Sequence, residues 1–127
     1  MSLPSGSPLT PLWLNELAPN ATLISSVLNR SLQGRDAVIK VVQAVGGLYE
    51  AHAVVFQATV DDRILLEYDA LAFGGVAVHG VVMLSRNPAG EISEVSVHHS
   101  PVEAVSKISA ALRERLSAEL GVDYFLP

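Results

Sequence analysis

From position 76 the chain reads VAVHGVVMLSR, then NPAGE, then ISEVSVHH, so two strand-like runs flank a stretch of turn chemistry. In the first run Val76, Val78, Gly80, Val82 and Leu84 share one parity, and Ala77, His79, Val81 and Met83 share the other. Both faces are largely apolar, the pattern of a strand covered on two sides rather than half-solvated. Upstream, residues 53–60 and 63–73 read as two further strands, with Asp61-Asp62 and Gly74-Gly75 as two-residue hairpin turns. Four strands, at 53–60, 63–73, 76–86 and 91–99, therefore follow one another as an antiparallel meander. Downstream, Ser100-Pro101-Val102-Glu103 predicts an N-cap, a first-turn proline and a capping-box glutamate. The helix they open carries Val105, Ile108, Leu112 and Leu116 on one side and ends at Gly121.

The clearest helical periodicity lies earlier, where Val38, Val41, Val42, Val45, Leu48 and Tyr49 fall on one stripe. Gly46-Gly47 interrupts that stripe at a cost of about 1 kcal/mol per glycine, which predicts close packing or a kink. No strand feeds this pair and no lysine follows, so it is not a phosphate loop. Thr10-Pro11 predicts a short helix over 11–18, ended by Pro19 and Asn20, before a strand over 21–28 and a connection over 29–34. Residues 1–9 are rich in Ser, Pro and Gly and are expected to be loosely ordered, leaving one α+β domain over 10–127.

Composition narrows the function classes. The chain has 127 residues, 50% of them hydrophobic, which supplies one real core and not two. Net charge is -5 and the eight basic residues are scattered, so no basic stripe suits nucleic acid. There is no cysteine, which excludes disulfides and thiolate sites and fits a reducing compartment. No apolar run approaches the ~20 residues a membrane span needs, and residues 1–8 lack the pattern of a secretory signal. A cytoplasmic protein with no membrane partner is expected. Only 17% of residues are charged, and with the two-faced strands this predicts a homodimer through a sheet face. Asp61 and Asp62 read as turn formers rather than paired catalytic acids, and Asn20-Ala21-Thr22 and Asn29-Arg30-Ser31 as chance glycosylation matches. No Gly-x-Ser-x-Gly elbow, paired-histidine zinc helix or dinucleotide fingerprint occurs, so no cofactor or metal is expected.

The order of elements resembles the nuclear transport factor 2-like superfamily. The resemblance rests on Trp13-Leu14 to Leu17-Ala18 followed by Ala21-Thr22-Leu23, on Gly34-Arg35-Asp36-Ala37-Val38 and on Leu48-Tyr49-Glu50. It continues through Gly80 to Asn87, Ala89-Gly90-Glu91-Ile92 and His98-His99-Ser100-Pro101, and covers about residues 12–110. It implies a curved antiparallel sheet wrapped around helices to form a cone with an inner pocket, commonly dimeric across the outer sheet face. Relatives include SnoaL-like polyketide cyclases, ketosteroid isomerase, limonene epoxide hydrolase and many binding modules, so the fold leaves function open.

The isomerase-like pattern has a general-base aspartate where this chain has Ser25-Ser26, and an oxyanion-stabilising acid where it has Val82. An arginine often precedes the last helix's proline; here that position is Ser100, read as a cap. If Val82 faces the cone, strand parity brings Val78, Gly80, Leu84, Val95, Val97 and His99 with it. His99 is then the leading polar candidate, as acid or base or as hydrogen-bonded structure. His98 points away from it, so the two cannot chelate one metal, and His79 belongs to the outer face. Glu67 and Asp69 share one strand face and Leu66, Tyr68 and Ala70 the other, with the cone-facing side left open. Trp13 and Tyr49 could line the pocket mouth or be core. Two readings follow. The first is a non-catalytic module binding a small hydrophobic ligand through Trp13, Tyr49, Tyr68, Val82, Val97 and His99. The second is a cofactor-independent isomerase, cyclase or epoxide hydrolase pairing His99 with Glu67 or Asp69.

Overall fold

A computed structural model describes residues 11–126; the expectation for 1–9 lies outside them. A 3-10 turn, Leu12–Glu16, runs into strand β1 (Leu17–Ser25), then a two-residue β2 (Leu32–Gln33) and helix α1 (Arg35–Gly46). Strands β3 (Tyr49–Val60), β4 (Arg63–Ala72), β5 (Val76–Arg86) and β6 (Ile92–Ser100) follow, then helix α2 (Val102–Leu120) and a last 3-10 turn, Val122–Tyr124. The six strands form one sheet in the order β2-β1-β6-β5-β4-β3. The expected meander is present as β3 to β6, all antiparallel neighbours, and β1 joins its far side in parallel with β6.

The concave face of this curved sheet carries the core. Val78, Val82 and Leu84 of β5 and Val95 of β6 are buried there, as are Val38 and Val41 of α1 and Ile108 and Leu112 of α2. The helical stripes read from sequence thus press onto the sheet, each fully buried Leu or Ile contributing about 1.5–3 kcal/mol. Ser109 is buried among them with its hydroxyl fully used: it donates to the Val27 carbonyl at 2.8 Å and accepts from the Leu126 N–H at 3.1 Å. It ties α2 to the end of β1 and to the C-terminal segment, where Phe125 packs into the core.

Several boundaries differ from expectation. The helix expected over 11–18 is a single 3-10 stretch, and β1 begins at Leu17 and passes through Pro19 and Asn20. Its pairing with β6 slips between Leu17 and Thr22, so the exposed Pro19 falls where no ladder N–H is needed. Gly46-Gly47 neither kinks nor tightens α1 but ends it: the Gly47 N–H donates to the Gln43 carbonyl and the chain turns out into β3. Leu48 and Tyr49 therefore leave the helical stripe, and Tyr49 becomes the first residue of a longer strand than 53–60. Asp61-Asp62 is a two-residue turn as expected, whereas Gly74-Gly75 is part of a three-residue loop, because Ala72 pairs with Val76 and Phe73 takes a positive φ of 54°.

The predicted cap at Ser100 is absent. Ser100 stays in β6, paired with His79, so the N-cap position falls to Pro101, which has no side-chain acceptor to offer. Glu103 sits in the first turn without closing a capping box. Gly121 does end α2, with φ 103° and its N–H on the Ser117 carbonyl.

Candidate functional site

Between the concave sheet and α1 lies a cavity of about 370 Å³. Pro11, Leu12 and Trp13 frame one side, and α1 contributes Val41, Val42, Val45 and Gly46. The sheet contributes Leu23 and Ser25 from β1, then Tyr49, His52, Val54 and Gln57 from β3. Leu66 and Tyr68 of β4, Val82 of β5, and Val97 and His99 of β6 complete it. Trp13, Tyr49, Tyr68, Val82, Val97 and His99 are thus brought to one cavity wall. Strand alternation accounts for most of this lining, since Leu66 pairs with Val82, Val82 with Val97, and Tyr68 with Gly80, which in turn faces His99.

The polar centre of the cavity is a chain of three side chains. The Tyr49 and Tyr68 hydroxyls lie 2.6 Å apart, and the Tyr68 hydroxyl lies 3.1 Å from His99 Nε2. Tyr68 and His99 are not on adjacent strands; Gly80 stands between them. A Cβ built on Gly80 would fall 2.2 Å from Tyr68 Cζ, so the missing side chain is the slot through which the phenol reaches His99. The His99 backbone N–H donates to Ser26 Oγ at 2.8 Å, which fixes its strand against the end of β1.

Burial sets the charge state. It is the main cause that lowers the His99 pKa from the ordinary 6.5 to about 4, with His98 adding to the effect. It also pushes Tyr68 up to about 12, against the smaller opposing effect of its hydrogen bond with Tyr49, and raises Tyr49 further still. All three groups are neutral at pH 7, a hydrogen-bonding relay in a mostly apolar chamber whose other polar side chains are Ser25, His52 and Gln57. His99 Nδ1 is buried and has no hydrogen-bond partner among the described residues.

Glu67 and Asp69 are not in this cavity. Tyr68 and Ala70 occupy the concave face of β4, so alternation sends both carboxylates to the convex face. There Asp69 Oδ1 holds His79 Nδ1 at 2.8 Å, both side chains half-exposed. The acid–base pairing of His99 with Glu67 or Asp69 is therefore not assembled, and the enzymatic reading loses its second residue. Among the described residues, no group of three or more His, Asp or Glu is placed to hold a metal ion.

Sequence reasoning missed His52, Gln57 and the α1 residues of the wall. The register between β3 and β4 slips between Val54 and Phe56, so cavity-facing parity passes from His52 and Val54 to Gln57. Strict alternation would have pointed Phe56 inward instead. The run Val54-Val55-Phe56, three large apolar residues where a half-exposed edge strand should alternate, was the available signal.

No family model matches the sequence, and no curated protein sequence does. Solved structures do match. An uncharacterised bacterial protein with a cystatin-like fold from Silicibacter pomeroyi aligns with a TM-score of 0.77 and 21% identity, over 85% of this chain and 76% of that one. A steroid delta-isomerase from Pseudomonas aeruginosa gives 0.74 and 23% identity over 84% and 79%. A nuclear transport factor 2-like protein of unknown function from Mesorhizobium loti gives 0.61 and 16% identity over 71% and 76%. Identities this low carry the fold alone. The chain therefore has the cone-shaped α+β fold of the nuclear transport factor 2-like proteins, the one its sequence resemblance implied.

Proposed function

We propose that the protein is a homodimeric, non-catalytic module that holds a small hydrophobic ligand in the cone, oriented by hydrogen bonding to the Tyr49–Tyr68–His99 relay. The observation that carries this reading is the cavity wall: mostly apolar side chains, with Ser25, His52 and Gln57 among them, surround one neutral relay, and no carboxylate among the described residues lines it. Such a chamber rewards burial of apolar area and fixes orientation with one polar contact. A chain without cysteine suits the cytoplasm, and no helix among the described residues is long and apolar enough to cross a membrane.

Dimerisation is supported by the convex face of the sheet. Phe56 of β3, Leu65 and Leu71 of β4, and Val81 and Met83 of β5 lie there, opposite in parity to the cavity residues. Phe56 alone leaves about half of its surface in solvent. A second copy of the same face would cover this patch.

Calorimetric titration with small neutral ring compounds tests the binding claim, with one saturable site per chain as the expected result. Val82→Phe, which fills the cavity, should abolish it. Turnover of epoxides or enolisable ketones that disappears in His99→Ala would replace this reading with the enzymatic one. Sedimentation of the wild type beside Val81→Arg tests the dimer: a monomeric wild type would remove that part of the proposal.

A further inference from the structure

The direction in which hydrogens run through the relay follows from counting them. Two contacts join three groups, Tyr49 Oη with Tyr68 Oη and Tyr68 Oη with His99 Nε2. Each hydroxyl carries one hydrogen, and a neutral imidazole carries one, on Nε2 or on Nδ1. In one arrangement Nε2–H donates to Tyr68, Tyr68 donates to Tyr49, and the Tyr49 hydrogen is left over. In the reverse arrangement Tyr49 donates to Tyr68, Tyr68 donates to Nε2, and the imidazole hydrogen sits on Nδ1. In a third, both neighbours donate to Tyr68, whose own hydrogen is then stranded.

The unpartnered Nδ1 separates these arrangements. It is buried, with no hydrogen-bond partner among the described residues. A bare lone pair there is better tolerated than an N–H with no acceptor, since orphaned buried N–H groups are the rarer defect in folded proteins. The imidazole hydrogen accordingly belongs on Nε2. Tyr49 and Tyr68 are both buried in the cavity wall, so burial does not separate the first arrangement from the third. The number of neighbours does: the third makes Tyr68 Oη accept twice and send its own hydrogen past two partners already in place, whereas the first runs head to tail and leaves the spare hydrogen on Tyr49, which has one neighbour. The Tyr49 hydroxyl has no partner besides Tyr68 among the described residues, and Tyr49 stands in the cavity wall.

We propose that His99 makes the relay one-way, so that Tyr49 presents a hydrogen-bond donor to the cavity and selects neutral ring ligands bearing an acceptor, such as a carbonyl oxygen, over those bearing only a donor. His99 is then a positioning residue that touches ligand selection through Tyr68 and Tyr49. The inference rests on the binding reading above and adds its polarity.

Three bicyclic probes of similar size test it: indanone with an acceptor only, indole with a donor only, and indene with neither. Each dissociation constant is compared between the wild type and Tyr49→Phe, which cancels differences in how the probes partition from water. Loss of one donated hydrogen bond should weaken indanone by about threefold to tenfold and leave indole and indene within about twofold. In the free wild-type protein, nitrogen-15 NMR should find His99 protonated on Nε2 and bare on Nδ1. A hydrogen on Nδ1, or weakening of indole with indanone unchanged, overturns the proposal, as does equal treatment of all three probes. If none binds at all, the binding reading fails, while the NMR spectrum still decides the direction of the relay.

Discussion

Replacing Gly80 with alanine should cost far more than a single methyl on a strand normally does. The added Cβ would stand 2.2 Å from Tyr68 Cζ, 2.3 Å from Cε1 and 2.6 Å from Oη. Ordinary contact begins near 3.4 Å, so the ring must withdraw by about 1.2 Å, the difference between that limit and the 2.2 Å approach. The Tyr68 hydroxyl has little slack, because its 3.1 Å contact with His99 Nε2 ceases to be a hydrogen bond near 3.6 Å. Overpacking costs about 1–3 kcal/mol. The broken contact leaves buried polar groups unpaired for about another 1–3 kcal/mol. Alanine's lower backbone entropy in the unfolded chain returns about 0.5–1 kcal/mol. The net is a destabilisation of about 3 kcal/mol, read by urea unfolding as a midpoint lowered by on the order of 1–2 M with little change in slope. A double-mutant cycle isolates the cause: in a Tyr68→Ala background the same substitution should be neutral or mildly stabilising. If Gly80→Ala costs the same in both backgrounds, the slot is not what holds Tyr68 and the reasoning fails.

Three further expectations test the site and its supports. Because burial holds the folded-state pKa of His99 near 4 against 6.5 when unfolded, the unfolded chain alone binds this proton between those values, so stability falls as pH falls through that window. The loss reaches about 3 kcal/mol, and thermal melts from pH 7 to 4 should show it shrinking in His99→Gln. Tyr68→Phe keeps the ring but removes the shared hydroxyl from Tyr49 and His99, and should cost about 1–3 kcal/mol by urea unfolding. Ser109→Ala leaves the Val27 carbonyl and the Leu126 N–H without their partner and should cost about 1–2 kcal/mol, with faster amide exchange at Leu126.

Much of the scaffold was legible because hydrophobic period and turn chemistry are local signals. The four-strand meander and α2 with Gly121 at its end follow from them. What was not legible depends on partners distant in sequence. Nothing local says that β1 would lie parallel to β6, nor that this pairing would carry Pro19 through a strand. Ser100 has the residue type of a cap, yet its pairing with His79 decides that it remains strand. For the site, alternation from Val82 reached His99 correctly, while the face of Glu67 and Asp69 hung on one register step that only the sheet could settle. The meeting of Tyr49, Tyr68 and His99 needed the open slot at Gly80, which a sequence reading registers merely as a missing side chain.

The parallel pairing of β1 with β6 also bears on how the chamber comes to be closed. Leu23 pairs with Val95, seventy-two positions later, and the same strand end brings Leu23 and Ser25 to the cavity. Contacts this remote close late and slow folding, because the loop entropy must be lost before they form. A chain with its meander complete but β1 undocked would have an open groove where the folded protein has a chamber. A ligand that fills the chamber bridges the first long strand and the last, so it favours the docked state over every undocked one. Occupancy would then be recorded in the lifetime of the fold itself, as slower escape of β1 from the sheet.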